Sequence, residues 1–321
     1  MTLFTPTTEA RGRPARRRPA RRRRRGAVVL VVALLVLVGG AATAGWAWLN
    51  GSIGGVPIRP HCTATALGST AELDPEQAAN AATIAAVAVR RGLPGRAATI
   101  GIATAMQESK LINLAGGDRD SIGLFQQRPS QGWGTAAQVH DPVYAANAFF
   151  DVLVKIEGYE NLPITKAAQQ VQRSAFPQGY AAHEPEARIW ASTLTGFSPA
   201  ALSCVLADVP ASSVPAAPRA DGLTPAAHTL VVAAAAATGR TGALVPGSGG
   251  AGLRFTTAAK GGSTTAAWAL AHWAVAGADA LDVVAVEVDG RQWRRSESTQ
   301  GWTPIDGTGP APGTVVVRVA R

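Results

Sequence analysis

TAMQESKLINLAGGDRDSIGLFQQRPSQGWG, residues 104–134, puts one glutamate at the end of an apolar run, then a glycine-rich loop, then a glutamine pair. Upstream, Ile100, Ala103, Thr104 and Gln107 recur at helical spacing, so a helix is expected over about 96–110 with Glu108 at its C-terminal end. A carboxylate at the end of such a run is withdrawn from water, and desolvation favours its protonated form. A glutamate that keeps its proton near neutral pH can hand it to a leaving oxygen. A solvated helix-end glutamate is the alternative.

The rest of the chain bounds what this carboxylate can serve. Ten arginines lie in residues 1–25 against one acid, Glu9, so that tail carries the whole net charge of +9. Residues 26–321 hold 20 basic and 20 acidic side chains. A nucleic-acid surface needs its charge on a folded face, and this charge sits in a proline-punctuated low-complexity tail that cannot build a core. No nucleic-acid partner is expected. Residues 26–49 carry no charge, and about 20 apolar residues suffice to cross a bilayer. They read as a transmembrane anchor, with Trp46 and Trp48 at the far interface and the arginine-rich end in the cytoplasm. A secretory signal cleaved near residues 41–44 is the alternative. Both leave residues 50–321 outside the cytoplasm.

Two cysteines, Cys62 and Cys204, follow the apolar segment. An oxidising compartment lets them pair and tie the ends of one domain together, with two free thiols as the alternative. They are too few, and wrongly spaced, for a metal site, and neither metal nor cofactor is expected.

Residues 50–61 read as a Gly/Pro linker, and 205–222 as a second one rich in Pro, Ala and Ser. They delimit a module at 62–204 and another at 223–321. In the first, Asp74-Pro75-Glu76 is a helix start and Gly92 a stop. Further helices are expected at 96–110, from Asp141-Pro142 onward, at 164–174 and at 184–195. The second module suggests helices over 223–237 and 265–281, strands at 253–257 and 313–321, and a hairpin over 283–295 turning at Asp289-Gly290.

The blocks around Glu108 resemble the lysozyme-like superfamily, in particular peptidoglycan enzymes of the soluble lytic transglycosylase type. Glu108-Ser109 is followed by Gly123-Leu124-Phe125-Gln126, beginning 15 residues after the glutamate, the spacing that family uses. A third block, Ala168-Gln169-Gln170-Val171-Gln172-Arg173-Ser174-Ala175-Phe176-Pro177-Gln178-Gly179-Tyr180, is similar to a later helix of related lysins. The resemblance covers about 75–197. It implies Glu108 as the catalytic acid, acting afterwards as base, with the substrate's N-acetyl group assisting and a 1,6-anhydro sugar as product. Peptidoglycan glycan strands are then the partner, and Ser109, Ser121, Gly123, Gln126, Gln127, Trp133, Gln172 and Tyr180 are the candidate contacts to them. The glutamine amides suit N-acetyl and hydroxyl groups, since each both donates and accepts. The glycines allow close backbone approach. Asp118 or Asp120 as a second acid would instead mean a hydrolase.

The second module is weakly similar to a D-alanyl-D-alanine carboxypeptidase-like domain, carried by residues 265–281, Arg291-Gln292-Trp293 and Trp302. Where that family places zinc ligands this chain has Gly249, Thr256 and Val316, none of which binds zinc through a side chain. His228 and His272 fall in helical runs and read as structural. The expected architecture is thus a mainly α lysozyme-like domain, a small α+β C-terminal domain without its metal, and one N-terminal transmembrane helix. The expected function is cleavage of glycan strands at the outer face of the cell membrane. The alternative is a non-catalytic peptidoglycan-binding component of an envelope or secretion complex with protein partners.

Overall fold

A computed structural model describes residues 59–174, 177–210, 217–257 and 264–321. Residues Ile58–Arg321 form one compact unit. The chain enters on strands β1 (His61–Ala66) and β2 (Ser69–Leu73) and continues into helices α1 (Pro75–Arg90) and α2 (Gly95–Ser109). After a loop come α3 (Ala136–His140), α4 (Pro142–Leu153), α5 (Ile164–Gln172), α6 (Glu184–Leu194) and strand β3 (Leu202–Val205). The remainder comprises α7 (Pro225–Thr238), β4 (Ala243–Leu244), β5 (Gly252–Thr256), α8 (Thr264–Ala276), β6 (Val283–Val288), β7 (Arg291–Arg294), β8 (Thr303–Pro304) and β9 (Thr314–Val319).

This corrects the expected fold class. The first half is not simply helical: β2, β1 and β3 form a three-stranded antiparallel sheet, and a six-stranded antiparallel sheet of order β4-β5-β9-β6-β7-β8 follows. The small sheet escaped the sequence reading because its strands are short and lack the Val/Ile/aromatic signature. The burial of β1 nevertheless alternates, with Cys62, Ala64 and Ala66 turned inward. The expected membrane helix at 26–49 lies outside the described residues. Among those described, no helix is long and apolar enough to cross a membrane.

Local chemistry sets the helix ends. At the start of α1 the Asp74 N–H donates to Gln77 Oε1 (3.0 Å), with Pro75 in the first turn. Helix α2 is buried nearly all round, which makes it the central rod. Its Gly101 has no room for a side chain: a Cβ there would stand 2.9 Å from Ile84 Cγ2 and 3.2 Å from Phe150 Cζ. Helix α2 ends where Lys110 and Leu111 both turn left-handed, at φ 55° and 60°. The carbonyls freed by that turn are claimed by α1, through Gln77 Nε2 to Lys110 O (2.8 Å) and Asn80 Nδ2 to Leu111 O (2.8 Å). The last turn of α2, and Glu108 with it, is therefore anchored from outside the helix.

The two halves share one apolar core that runs from Cys62 to Val319. Polar anchors cross the seam, among them Trp302 Nε1 donating to Leu202 O (2.6 Å), Arg295 Nε to Ala207 O (2.5 Å), and His272 Nδ1 to Thr193 O (2.7 Å). At Gly196, φ is 81° and a Cβ would fall 1.9 Å from Thr265 O, so the seam admits only glycine there. Gly196→Ala combines a left-handed backbone with overpacking and is expected to cost about 3 kcal/mol of unfolding free energy. Urea denaturation measures this; a variant within about 1 kcal/mol of the parent would mean that the seam yields.

His272 is fully buried between Trp268 and Trp302, at ring separations of 5.3 and 6.1 Å. The Thr193 carbonyl fixes the proton on Nδ1, which leaves Nε2 buried and without a partner. Burial pushes its pKa down to about 4, with the Thr193 bond opposing. In the unfolded chain a histidine titrates near 6.5, so between about 6.5 and 4 the unfolded state binds more protons than the folded one. Stability from this group is complete above about pH 6.5 and falls by roughly 3 kcal/mol as the pH drops to about 4. Unfolding free energies measured across that window should show the slope in the parent and lose it in His272→Gln; an equal slope in both would contradict the assignment.

Candidate functional site

Glu108 occupies the last turn of α2, partly exposed, at the negative end of the helix dipole. A carboxylate gains nothing for folding in that place. Its Oε1 accepts a 2.6 Å hydrogen bond from the Tyr180 hydroxyl, 72 residues away in the 3₁₀ segment Pro177–His183. Tyr180 is fully buried, and burial first, then the bond to Glu108, raises its pKa above the ordinary value, with a bond involving Ser174 opposing. The phenol is thus a permanent donor that fixes the orientation of the Glu108 carboxyl.

The loop after α2 is closed by backbone. Ile122 and Gln127 exchange both N–H···O bonds, at 3.0 and 3.1 Å, and the Gly123 N–H donates to Leu114 O (2.8 Å). Gly123 has φ 78° and a Cβ on it would meet Val139 O at 2.4 Å. Ser109 Oγ donates to Leu124 O (2.7 Å), tying the helix end beside Glu108 to the loop's return strand. Next to it, Phe125 O accepts from Gln172 Nε2 (2.7 Å) at the end of α5.

The expected contact residues divide by where these bonds leave them. Glu108 and Tyr180 meet directly. Ser109, Ser121 and Gln127 are buried; Gln127 is only 2 % exposed and spends its amide on Ala145 O (3.1 Å). They build the loop rather than line a groove. Gln126 stays partly exposed with φ 48°, its amide over Gly117, where a Cβ would stand 1.8 Å from Oε1. Trp133 and Gln172 both line a cleft with Gln131, Val152 and Arg173, and neither Glu108 nor Tyr180 is among its lining residues.

Of the two loop acids, Asp120 is fully engaged. Its Oδ1 accepts from Arg128 Nε (2.9 Å) and Ser130 Oγ (3.0 Å), and its Oδ2 from Ser130 N (2.8 Å). These bonds, the Ser130 backbone first, hold its carboxyl well below the usual range. Asp118 projects into solvent, its nearest cation Arg119 at 4.0 Å. The sequence reading missed a second polar pair at the site: Gln107 Oε1 lies 3.2 Å from His183 Nε2, with Gly179 flush against the Gln107 amide. Beyond it on α6, Glu186 has its pKa raised by burial, with the charge of His183 opposing. The signal was present, since Gly179 belongs to the third sequence block and His183 follows Tyr180 by three residues.

In the C-terminal half, Gly249 precedes β5, Thr256 ends it and Val316 lies in β9. His228 is partly exposed and faces Asp221 at 3.0 Å. Among the described residues no group of three or more His, Cys, Asp or Glu side chains could hold a metal ion. No family model matches the chain, and no curated protein matches it. The functional reading therefore rests on its own residues.

Proposed function

We propose that the protein cleaves the glycan strands of peptidoglycan in the manner of a lytic transglycosylase, with Glu108 as the proton carrier. The observation that carries this reading is the 2.6 Å bond that holds the partly exposed Glu108 carboxyl to the buried Tyr180. Glu108 protonates the glycosidic oxygen as the C1–O bond breaks. The substrate's N-acetyl group supports the developing positive charge at C1. Glu108 then takes the proton from the sugar's own C6 hydroxyl as that oxygen bonds to C1, so the carboxyl is restored and no water is consumed. One carboxyl suffices for this sequence of transfers; of the two loop acids, Asp120 is committed to Arg128 and Ser130, and Asp118 projects into solvent. A hydrolase of either stereochemistry uses a flanking pair of carboxyls.

The Cys62–Cys204 disulfide supports a place outside the cytoplasm, where such bonds persist and where peptidoglycan lies. The basic tail and apolar segment of residues 1–49 fit attachment at the membrane's outer face, with other envelope proteins as neighbours. The test is incubation of purified peptidoglycan with the protein. Release of soluble sugar by the parent supports the reading; sedimentation with peptidoglycan and no release would leave the non-catalytic binding alternative in its place.

A further inference from the structure

Tyr180 reaches Glu108 from a segment with little stability of its own. Pro177–His183 is a 3₁₀ helix of seven residues, and 3₁₀ runs beyond three or four residues are uncommon because their hydrogen bonds are poorly aligned. Its C-terminal end is held from outside by two side chains. Glu184 pairs with Arg96 in the first turn of α2 (2.5 Å), and Arg96 also donates to Leu162 O (2.9 Å). His183 reaches the other end of the same helix, where its Nε2 lies 3.2 Å from Gln107 Oε1. An amide oxygen only accepts, so Nε2 carries the proton, as it can in both the neutral ring and the cation.

His183 gives up another role for this contact. It is the N-cap residue of α6, where Ser, Thr, Asp or Asn would accept from the first turn, yet it makes no side-chain cap bond. Such a cap contributes about 1 kcal/mol to a helix. The Gln107 amide is confined in turn, since Gly179 lies against it and a Cβ there would stand 2.7 Å from its Cδ. The amide is thus gripped between the middle and the end of the segment that carries Tyr180. Gln107 directly precedes Glu108 on α2. The last turn of α2 and the 3₁₀ segment therefore meet at two neighbouring bonds, one at Glu108 and one at Gln107.

We infer that Gln107 and His183 are positioning residues: their bond sets the register of the 3₁₀ segment that brings the Tyr180 hydroxyl to the Glu108 carboxyl. The inference rests on the glycan-cleaving reading and names two residues which that reading does not use. Their effect runs through Tyr180, which separates it from a general contribution to folding.

The test is a double-mutant cycle in the full-length protein, with kcat and KM for sugar release from purified peptidoglycan measured for the parent, Tyr180→Phe, His183→Ala and the two combined. A hydrogen bond to a charged group is worth about tenfold or more, so Tyr180→Phe is expected to lower kcat by at least roughly that factor. His183→Ala is expected to lower kcat similarly with KM little changed, and the combined variant to be no slower than Tyr180→Phe. His183→Gln keeps an N–H donor and should recover most of the parent kcat. Gln107→Leu removes the acceptor and should match His183→Ala; it takes that variant's place in the cycle should His183→Ala fail to fold. If His183→Ala slows Tyr180→Phe by the same factor as it slows the parent, or leaves the parent kcat unchanged, the inference fails and the glycan-cleaving reading stands. If the parent releases no sugar, both fall.

Discussion

Replacing Cys62 and Cys204 together by alanine is expected to lower the unfolding free energy by about 5 kcal/mol. The two residues face each other across β1 and β3, in register as direct partners, and their bond closes a loop of sequence separation 142. A cross-link acts mainly by restricting the unfolded chain, and its effect grows with the logarithm of the loop. This loop encloses all of α1 to α6, Glu108 and Tyr180 included. Strand β3 also carries the Leu202 carbonyl that anchors Trp302, so the staple lies where the two halves join. Urea denaturation of the parent with and without reductant, beside the double variant, measures the effect. The oxidised parent should stand alone as the stable form, and the variant should ignore reductant. A loss below about 1 kcal/mol would show that packing in this small sheet already does what the account gives to the bond.

Glu108→Gln is expected to reduce glycan cleavage by about 10² to 10⁴-fold, the range that a positioned general acid–base supplies. Glutamine keeps the shape and can still accept from Tyr180, but it has no proton to transfer. Stability should hold or rise slightly, because a carboxylate at a helix C-terminus opposes the dipole. An unchanged melting temperature together with lost activity separates chemistry from folding. A variant that still cleaves within about threefold of the parent would remove Glu108 from the mechanism.

How far the sequence announced this molecule can be judged element by element. The start of α1 was legible in Asp74-Pro75-Glu76, and that of α4 in Asp141-Pro142, where the Asp141 side chain accepts from Tyr144 N (2.7 Å). The Asp289-Gly290 turn was equally plain, and both residues take the positive φ that the tight hairpin requires, 47° and 72°. The strands HCTATA, STAEL and LSCV were not: they are only four to six residues long and diluted by Ala and Ser, β1 and β2 make a very short local hairpin, and β3 joins them only across a sequence separation of 142. Nor was it legible that 223–321 folds against the first half rather than apart from it, since Gly196 and the Thr193 carbonyl give no sign in sequence of the helix that covers them. At the site, Glu108 was legible as a carboxylate in the wrong company. The direction of Ser109 and Gln127 was not: one follows the glutamate and the other ends the loop after it, and only the loop's closure decides that these polar side chains turn inward.

The most direct test of the account is the mass of the sugar ends released from purified peptidoglycan by the parent and by Glu108→Gln. Self-displacement by the C6 hydroxyl predicts products lighter by one water than those of hydrolysis, formed by the parent and not by the variant. Products with ordinary reducing ends would contradict the single-carboxylate mechanism and point back to a second acid, while the absence of any product from the parent would contradict the enzyme itself.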